Sequence, residues 1–490
     1  MKRLAILVVA LGWLCPINIC AFDQAPAASL LFPFVQYDFN QPFGGYTTVI
    51  GITNLSPESQ IVRLSFWTDF GVPILGFNVI LSGYDVQTIN VRDILNEGRL
   101  PVTLNEAHAG SEGSHDEGPV SGYGGPGVTW TEIPDPQASS SLGARCDSSN
   151  AAYPGLYSVG IPQAILELFQ IWLQASQTVD RFYTDDCDQP FEAQYLPEPQ
   201  GTWFENRTTS GPSWLYITVD VVHSCGKSFP SDPAYWTPAA QGGEARYDNV
   251  LMGEAFWISG GDSTAAPAVH LEADEDLASV VARDIAGDPI SFYSRYSSAA
   301  GATSDMREPL PTAWAFRYVG YLDDTFDTAV RMWKGSTRFE SPIDMETTGT
   351  NPERPDMLTA TTCLAYTYYG WDNEENVLSY SCPGGDCGPA FNLFPLATQE
   401  VSIDELFLPD SEGWVLFVWP SSNYPEGAGI PPTPDHYQTW MGASYHAWER
   451  HSDFLQAMPV ANANCFSDQR LPDLGIDYDY VDQNGYREGP

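Results

Sequence analysis

Basic residues are scarce in this chain. Sixty-three Asp and Glu stand against 21 Lys and Arg in 490 residues, for a formal charge of −42. The lysines are Lys2, Lys227 and Lys334. Total charge is 17%, below the roughly 25% usual in soluble domains, so the imbalance is a depletion of bases and not a surplus of acids. Such a field repels phosphate backbones and anionic lipid, and nucleic acid is excluded as an expected partner.

Long apolar runs are also missing beyond the first residues. "MKRLAILVVALGWLCPINICA" places Lys2 and Arg3 before an apolar stretch from Leu4 to Cys15 and a small residue at Ala21. That is the layout of a secretory signal peptide over 1–21. Cleavage near Ala21 implies a secreted, periplasmic or cell-surface protein. No later segment has the ~20 apolar residues of a membrane-spanning helix.

Catalytic signatures are lacking as well. "LYSVG" around Ser158 has no first glycine of a nucleophile elbow, and "GASYH" around Ser444 has no last one. "HAWERH" holds His446, Glu449 and His451 at a spacing that fits neither HExxH nor HxxEH, and its flank "YQTWMGASYHAW" alternates like a strand. His108 and His115 sit among loop carboxylates and are expected to be solvated. No catalytic residue and no cofactor is assigned.

Seven cysteines follow the leader: Cys146, Cys187, Cys225, Cys363, Cys382, Cys387 and Cys465. Export makes all of them disulfide candidates, and the odd number leaves at least one unpaired or intermolecular. "CPGGDC", Cys382 to Cys387, either closes a tight loop or sends each sulfur elsewhere. Calcium is the one ion with a candidate site, since Asp477, Asp479 and Asp482 in "DYDYVDQNG" offer hard oxygens. The twelve-residue EF-hand spacing is not met, and "DEDL" at 274–277 is a similar, weaker set.

What is present is β pattern. "YTTVIGITNLS" and "IVRLSFWTDFGVPI" are strands bounded by Asn, Ser, Gly and Pro turns, and "LGFNVILSGYDVQTINVRDIL" holds two more. Turn signals every 8 to 12 residues favour a sandwich. Residues 105–147, rich in Gly, Ser and acids, have no period and are expected to form a loop. "IPQAILELFQIWLQAS" is one amphipathic helix near 162–176, with Ile165, Leu168, Phe169, Trp172 and Leu173 in a stripe and Pro162 in its first turn. "DEDLASVVARDIAG" is a second helical candidate. "WLYITVDVVHSC" and "DNVLMGEAFWIS" are strand-like.

One phrase occurs twice. Gln87-Thr88-Ile89-Asn90-Val91 matches Gln399-Glu400-Val401-Ser402-Ile403, and Asp93-Ile94-Leu95 matches Glu405-Leu406-Phe407. Upstream, Thr48-Val49 pairs with Ala329-Val330, and "VRLSFWTDFG" has an echo in "CLAYTYYGWDN". The expectation is a mainly β protein with two sandwich-like units, 22–104 and 311–465, related by internal duplication. A mixed segment, 148–310, joins them, and 466–490 is an acidic tail.

"LLFPF", "GGYTTVIGITNLS", "YITVDVVHSCGKSFPSDPAYW", "DNVLMGEAFWI", "REPLPTAWAFRY" and "NLFPLATQEV" together resemble a group of exported bacterial β-rich proteins with no assigned activity. The resemblance implies export and β architecture and brings no site residues. The function expected is therefore non-enzymatic: a surface, matrix or binding component, with a polysaccharide, a protein or a second copy of itself as partner. Two alternatives are a secreted glycoside hydrolase using paired carboxylates and a calcium-stabilised adhesin.

Overall fold

The computed structural model describes residues 25–69, 71, 73–101, 161, 163, 166–167, 169–170, 173, 212–223, 228–230, 233–236, 244–259, 262–273, 291–293, 305–311, 313–319, 326–335, 367–372, 377–378, 397–403, 412–418, 438–447, 452–456 and 459–461. The protein is mainly β, in antiparallel sheets. Nine strands form a first unit: β1 (Ser29–Tyr37), β2 (Thr47–Asn54), β3 (Gln60–Thr68), β4 (Pro73–Leu81), β5 (Val86–Asn90), β6 (Ser213–Val222), β7 (Leu251–Ser259), β8 (Asp262–Pro267) and β9 (Val269–Leu271). Nine more form a second: β10 (Ala313–Val319), β11 (Phe326–Lys334), β12 (Thr367–Asp372), β13 (Val377–Leu378), β14 (Thr398–Ser402), β15 (Glu412–Val418), β16 (Thr439–Ala447), β17 (Ser452–Gln456) and β18 (Pro459–Ala461).

The first unit has a five-stranded sheet A, in the order β4-β3-β6-β1-β9, and a four-stranded sheet B, β5-β2-β7-β8. The second has A′, β13-β12-β15-β10-β18, and B′, β14-β11-β16-β17. Adding nine to each strand number of the first unit reproduces the second. Among the described residues one nine-strand topology occurs twice.

Hydrogen bonds fix the residue equivalence. Thr48 Oγ1 accepts from Gln36 N at 2.9 Å and donates to Gln36 O at 3.2 Å. Thr328 Oγ1 makes the same clasp on Val319, at 2.9 and 2.8 Å. Opposite Thr48 lies Trp257, whose Nε1 donates to Phe34 O at 2.8 Å. Opposite Thr328 lies Tyr445, whose hydroxyl donates to Arg317 O. Thr48 therefore corresponds to Thr328, Trp257 to Tyr445 and Phe34 to Arg317.

This corrects the sequence match of Thr48-Val49 with Ala329-Val330 by one residue. Val49 pairs with Asn90 and Ala329 with Ser402, so Val49 corresponds to Ala329. A slip of one would turn every side chain of the strand to the other face. The β5 and β14 match stands as aligned: Ile89 and Val401, then Val91 and Ile403, are all buried. After β5, Asn90 caps a short helix α1 (Val91–Leu95) by accepting from Arg92 N, as a short polar side chain does at this position.

The first unit does not end near residue 104. Strands β6 to β9, from the stretch expected to be a mixed segment, supply the centre of sheet A and half of sheet B. Of the expected amphipathic helix, Gln163, Leu166, Glu167, Phe169, Gln170 and Leu173 are helical. Leu166, Phe169 and Leu173 join the first core; the rest of the stretch lies outside the described residues, as do the 105–147 segment and the acidic tail.

Sheet A is covered on both faces. Leu30, Phe32, Val35, Val62, Leu64, Ile217 and Val219 form one core with Ile50, Ile52 and Ile89 of sheet B. The alternate side chains, Leu31, Phe34, Ile61, Trp67, Trp214 and Tyr216, belong to a second core shared with Trp333, Val401 and Trp440 of sheet B′. Every residue of β1, β3 and β6 is buried, which is why "SWLYITVDVV" is apolar on both faces over Trp214–Ile217 where a half-exposed strand would alternate. The register shift between Phe32 and Val35 places Pro33 at an irregularity, where its missing N–H costs no ladder bond.

Candidate functional site

Two features stand apart from ordinary core. The first is a buried charge cluster on the outer side of sheet A, built by β1, β6 and the stretches before β10. Arg307 and Asp305 are 0% and 4% exposed, and Asp220 is 1% exposed. Arg307 Nη1 donates to Asp305 Oδ1 at 2.8 Å and Nη2 to Arg246 O at 3.2 Å. Its Nε donates to Ser29 Oγ, which in turn donates to Asp220 Oδ1. Asp220 also accepts from Tyr235 at 2.7 Å and from Tyr293 at 2.9 Å. The guanidinium lies 5.0, 5.3 and 5.8 Å from the rings of Tyr247, Tyr293 and Trp236.

The electrostatics are those of a locked ion network. Burial by itself would lower the Arg307 pKa, but Asp220 and Asp305 outweigh it and hold the guanidinium well above its ordinary value. Burial, then the Asp220 charge, pushes the Tyr235 phenol well up, so it stays a donor. All three guanidinium nitrogens of Arg307 and both oxygens of Asp220 and of Asp305 have hydrogen-bond partners. Asp220 and Asp305 are two carboxylates that the fold brings to one arginine, which braces them in the closed interior.

A run of rings continues from this brace across the two units. Trp67 stacks on Tyr216 at 5.6 Å, Tyr216 meets Trp333 edge-on at 5.7 Å, and Trp333 stacks on Phe292 at 5.6 Å. Phe292, Tyr293 and Trp236 follow at 4.7 and 5.2 Å. Arg331 of β11 adds a cation over Trp257 at 4.3 Å and Phe34 at 5.0 Å, while donating to Glu400 at 2.7 Å. Strand β14 is tied down by Thr398 Oγ1, which donates to Pro33 O at 2.7 Å. Sheet B′ is thus seated on sheet A by its outer face.

The second feature is the corresponding outer face of sheet B, where the described side chains are half-buried or exposed. Val49, Gly51, Thr53, Phe256 and Ile258 are half-buried there; Val86, Thr88, Glu254, Ser263, Ala265 and Pro267 are exposed. At its end Leu55, Tyr84 and Val86 are 40%, 68% and 60% exposed. Tyr84 has φ 58°, a left-handed conformation costly for a bulky residue. It is held by Tyr84 N donating to Ser56 O at 3.0 Å. A Cβ on the preceding Gly83 would lie 2.1 Å from Pro57 O, so only glycine allows the two loops to meet there. Strain of this kind gathers where a side chain must be presented. Tyr84 is presented to solvent.

Lys334 is the other unusual group, fully buried at the end of β11 where the first unit has Asn54. Burial lowers its pKa well below the ordinary lysine value. The unfolded chain then binds the proton more tightly than the folded one, so stability rises with pH between the depressed value and ~10.4. Lys334→Met is expected to flatten that rise in thermal melts between pH 7 and 10; an unchanged slope would contradict it.

The residues singled out from sequence fall mostly elsewhere. Ser444 and His446 lie on β16, a strand, and pair in register with Ala329 and Asp327. Among the described residues there is no cluster of three metal-ligating side chains, and no helix is long and apolar enough to cross a membrane. The seven cysteines, Asp477, Asp479, Asp482, residues 274–277, His108, His115, Ser158, Glu449 and His451 lie outside the described residues. Asp220 and Arg307 were not anticipated. For Asp220 the signal was a lone charge inside a largely apolar run, "WLYITVDVV"; Arg307 had none. Comparison with family models, with curated proteins and with solved structures returns no match.

Proposed function

We propose that this protein is an exported, non-enzymatic surface, matrix or binding component that acts by contact through the outer face of sheet B. One observation carries the reading: the same face of the same sheet is a packing surface in the second unit and lies open in the first. Its rim supports this further, because Tyr84 is held in a strained backbone and Val86 is 60% exposed. A charge buried on such a face loses its hydration without a partner. Val86→Glu should therefore weaken contact while leaving the fold, since the side chain touches little of the core.

The test is to express the chain with its leader in a bacterial host and to separate surface-bound from free protein. Wild type is expected in the surface or pelleted fraction, and Val86→Glu several-fold more in the free fraction. Equal partition of the two would remove the face from the account. Turnover on a polysaccharide panel, abolished by replacing one carboxylate, would replace it with glycoside hydrolysis.

A further inference from the structure

We propose that the partner of sheet B's outer face is the outer face of sheet A′ on a second copy of this chain, giving head-to-tail assembly. This rests on the contact reading above and names the partner. Within one chain the B′ face already sits on the A face, through Trp333 on Tyr216, Arg331 over Phe34 and Thr398 on Pro33. The two units share one topology, so among the described residues this pairing leaves the B face open at one end, while at the other end A′ shows Trp414 and Arg317 and buries Leu416 beside them. The open pair is the same pair of surfaces that the chain joins internally.

The open faces have the chemistry to meet. On A′, Trp414 occupies the position of Tyr216 and is 38% exposed, and Arg317 lies directly across from it. Arg317 corresponds to Phe34, and Gly51 of sheet B corresponds to Arg331. The cation has changed sides: inside the chain an arginine from the four-stranded sheet covers an aromatic ring, whereas at the open pair the five-stranded sheet carries the arginine and the four-stranded sheet carries a glycine. Glu254 pairs with Gly51 across the strands and reaches over it, within 3.3 Å of where a Cβ would stand. Arg317 rests 3.7 Å from Glu412 on its own sheet; entering above Gly51 it meets the Glu254 carboxylate as well, and Trp414 meets Thr53 and Val86.

An interface of two different faces is heterologous. Repeated, it makes a ring if the rotation closes and a filament if it does not. The chain's −42 charge opposes this association and is screened by salt, so assembly should strengthen with ionic strength.

Light scattering after size exclusion, over a concentration series of the exported chain, is the experiment. Wild type is expected to grow beyond monomer with concentration and with salt. Val86→Glu and Trp414→Glu, each spoiling one face, should each be monomeric. Mixed, they should form a 1:1 dimer that does not grow, because one intact B face and one intact A′ face remain. Thr88→Lys serves as a second block on sheet B if Val86→Glu melts below wild type. A wild type that stays monomeric at all concentrations overturns the proposal, as does a mixture that stays monomeric. If wild type stays monomeric yet Val86→Glu still leaves the surface fraction, self-assembly fails while the contact reading stands.

Discussion

Arg307→Met is expected to cost about 3–5 kcal/mol of stability, the usual penalty for removing one partner of a buried ion pair. The replacement leaves Asp220 and Asp305 as two carboxylates in a closed interior with no cation between them. Asp220→Asn and Asp305→Asn added to Arg307→Met should recover stability, since the two stranded charges are then gone. Thermal melts of the single and triple variants are the measurement. An Arg307→Met chain that melts like wild type would show that the network is not a brace.

Trp333→Ala should cost a similar amount, about 3–5 kcal/mol, and change the shape of the transition as well. Trp333 is fully buried and lies between Tyr216 of the first unit and Phe292 of the connection. Its removal opens a cavity on the seam where sheet B′ sits on sheet A. The two units should then uncouple, so that one cooperative unfolding transition becomes two in calorimetry. A single transition with a loss under ~1 kcal/mol would mean that the seam is held elsewhere.

Local pattern predicted a good part of this architecture. Alternation in "YTTVIGITNLS" and the Asn-capped turn after "VQTIN" are short-range features, and they located β2, β5 and the repeat at β14. The repeat in β2 and β11 slipped by one because an apolar pair matches at either register when no turn residue pins it. The threonine clasp on Gln36 and Val319, with the pairing of Val49 to Asn90 and Ala329 to Ser402, settles the alignment. The full extent of the first unit was hidden for another reason: sheet A is closed by pairs such as Ser29 with Asp220, 191 residues apart, and nothing local announces such a pairing. The large apolar residues on both faces of β6 were informative in themselves. Leu215, Ile217 and Val219 need one cover, Trp214 and Tyr216 need another, and the second cover is sheet B′.

The candidate face was less legible. Thr53, Thr88 and Val86 are ordinary strand residues, and their meaning depends on what the equivalent positions Trp333, Glu400 and Thr398 do in the other unit. Residue type cannot reveal that; equivalence can. Likewise Arg307 sits in "REPLPTAW", a stretch without periodicity, and becomes remarkable only when Asp220 and three aromatic rings converge on it.

Hydrogen exchange on the monomeric chain, taken as the Val86→Glu variant, tests the stacking of the two units most directly. Strands β6 and β15 are equivalent and both central in five-stranded sheets, yet β6 is covered on both faces while β15 shows Trp414 to solvent. Amides of β6 should be among the slowest in the protein and clearly slower than those of β15. Equal protection of the two strands, or faster exchange in β6, would contradict a sheet A enclosed between B and B′.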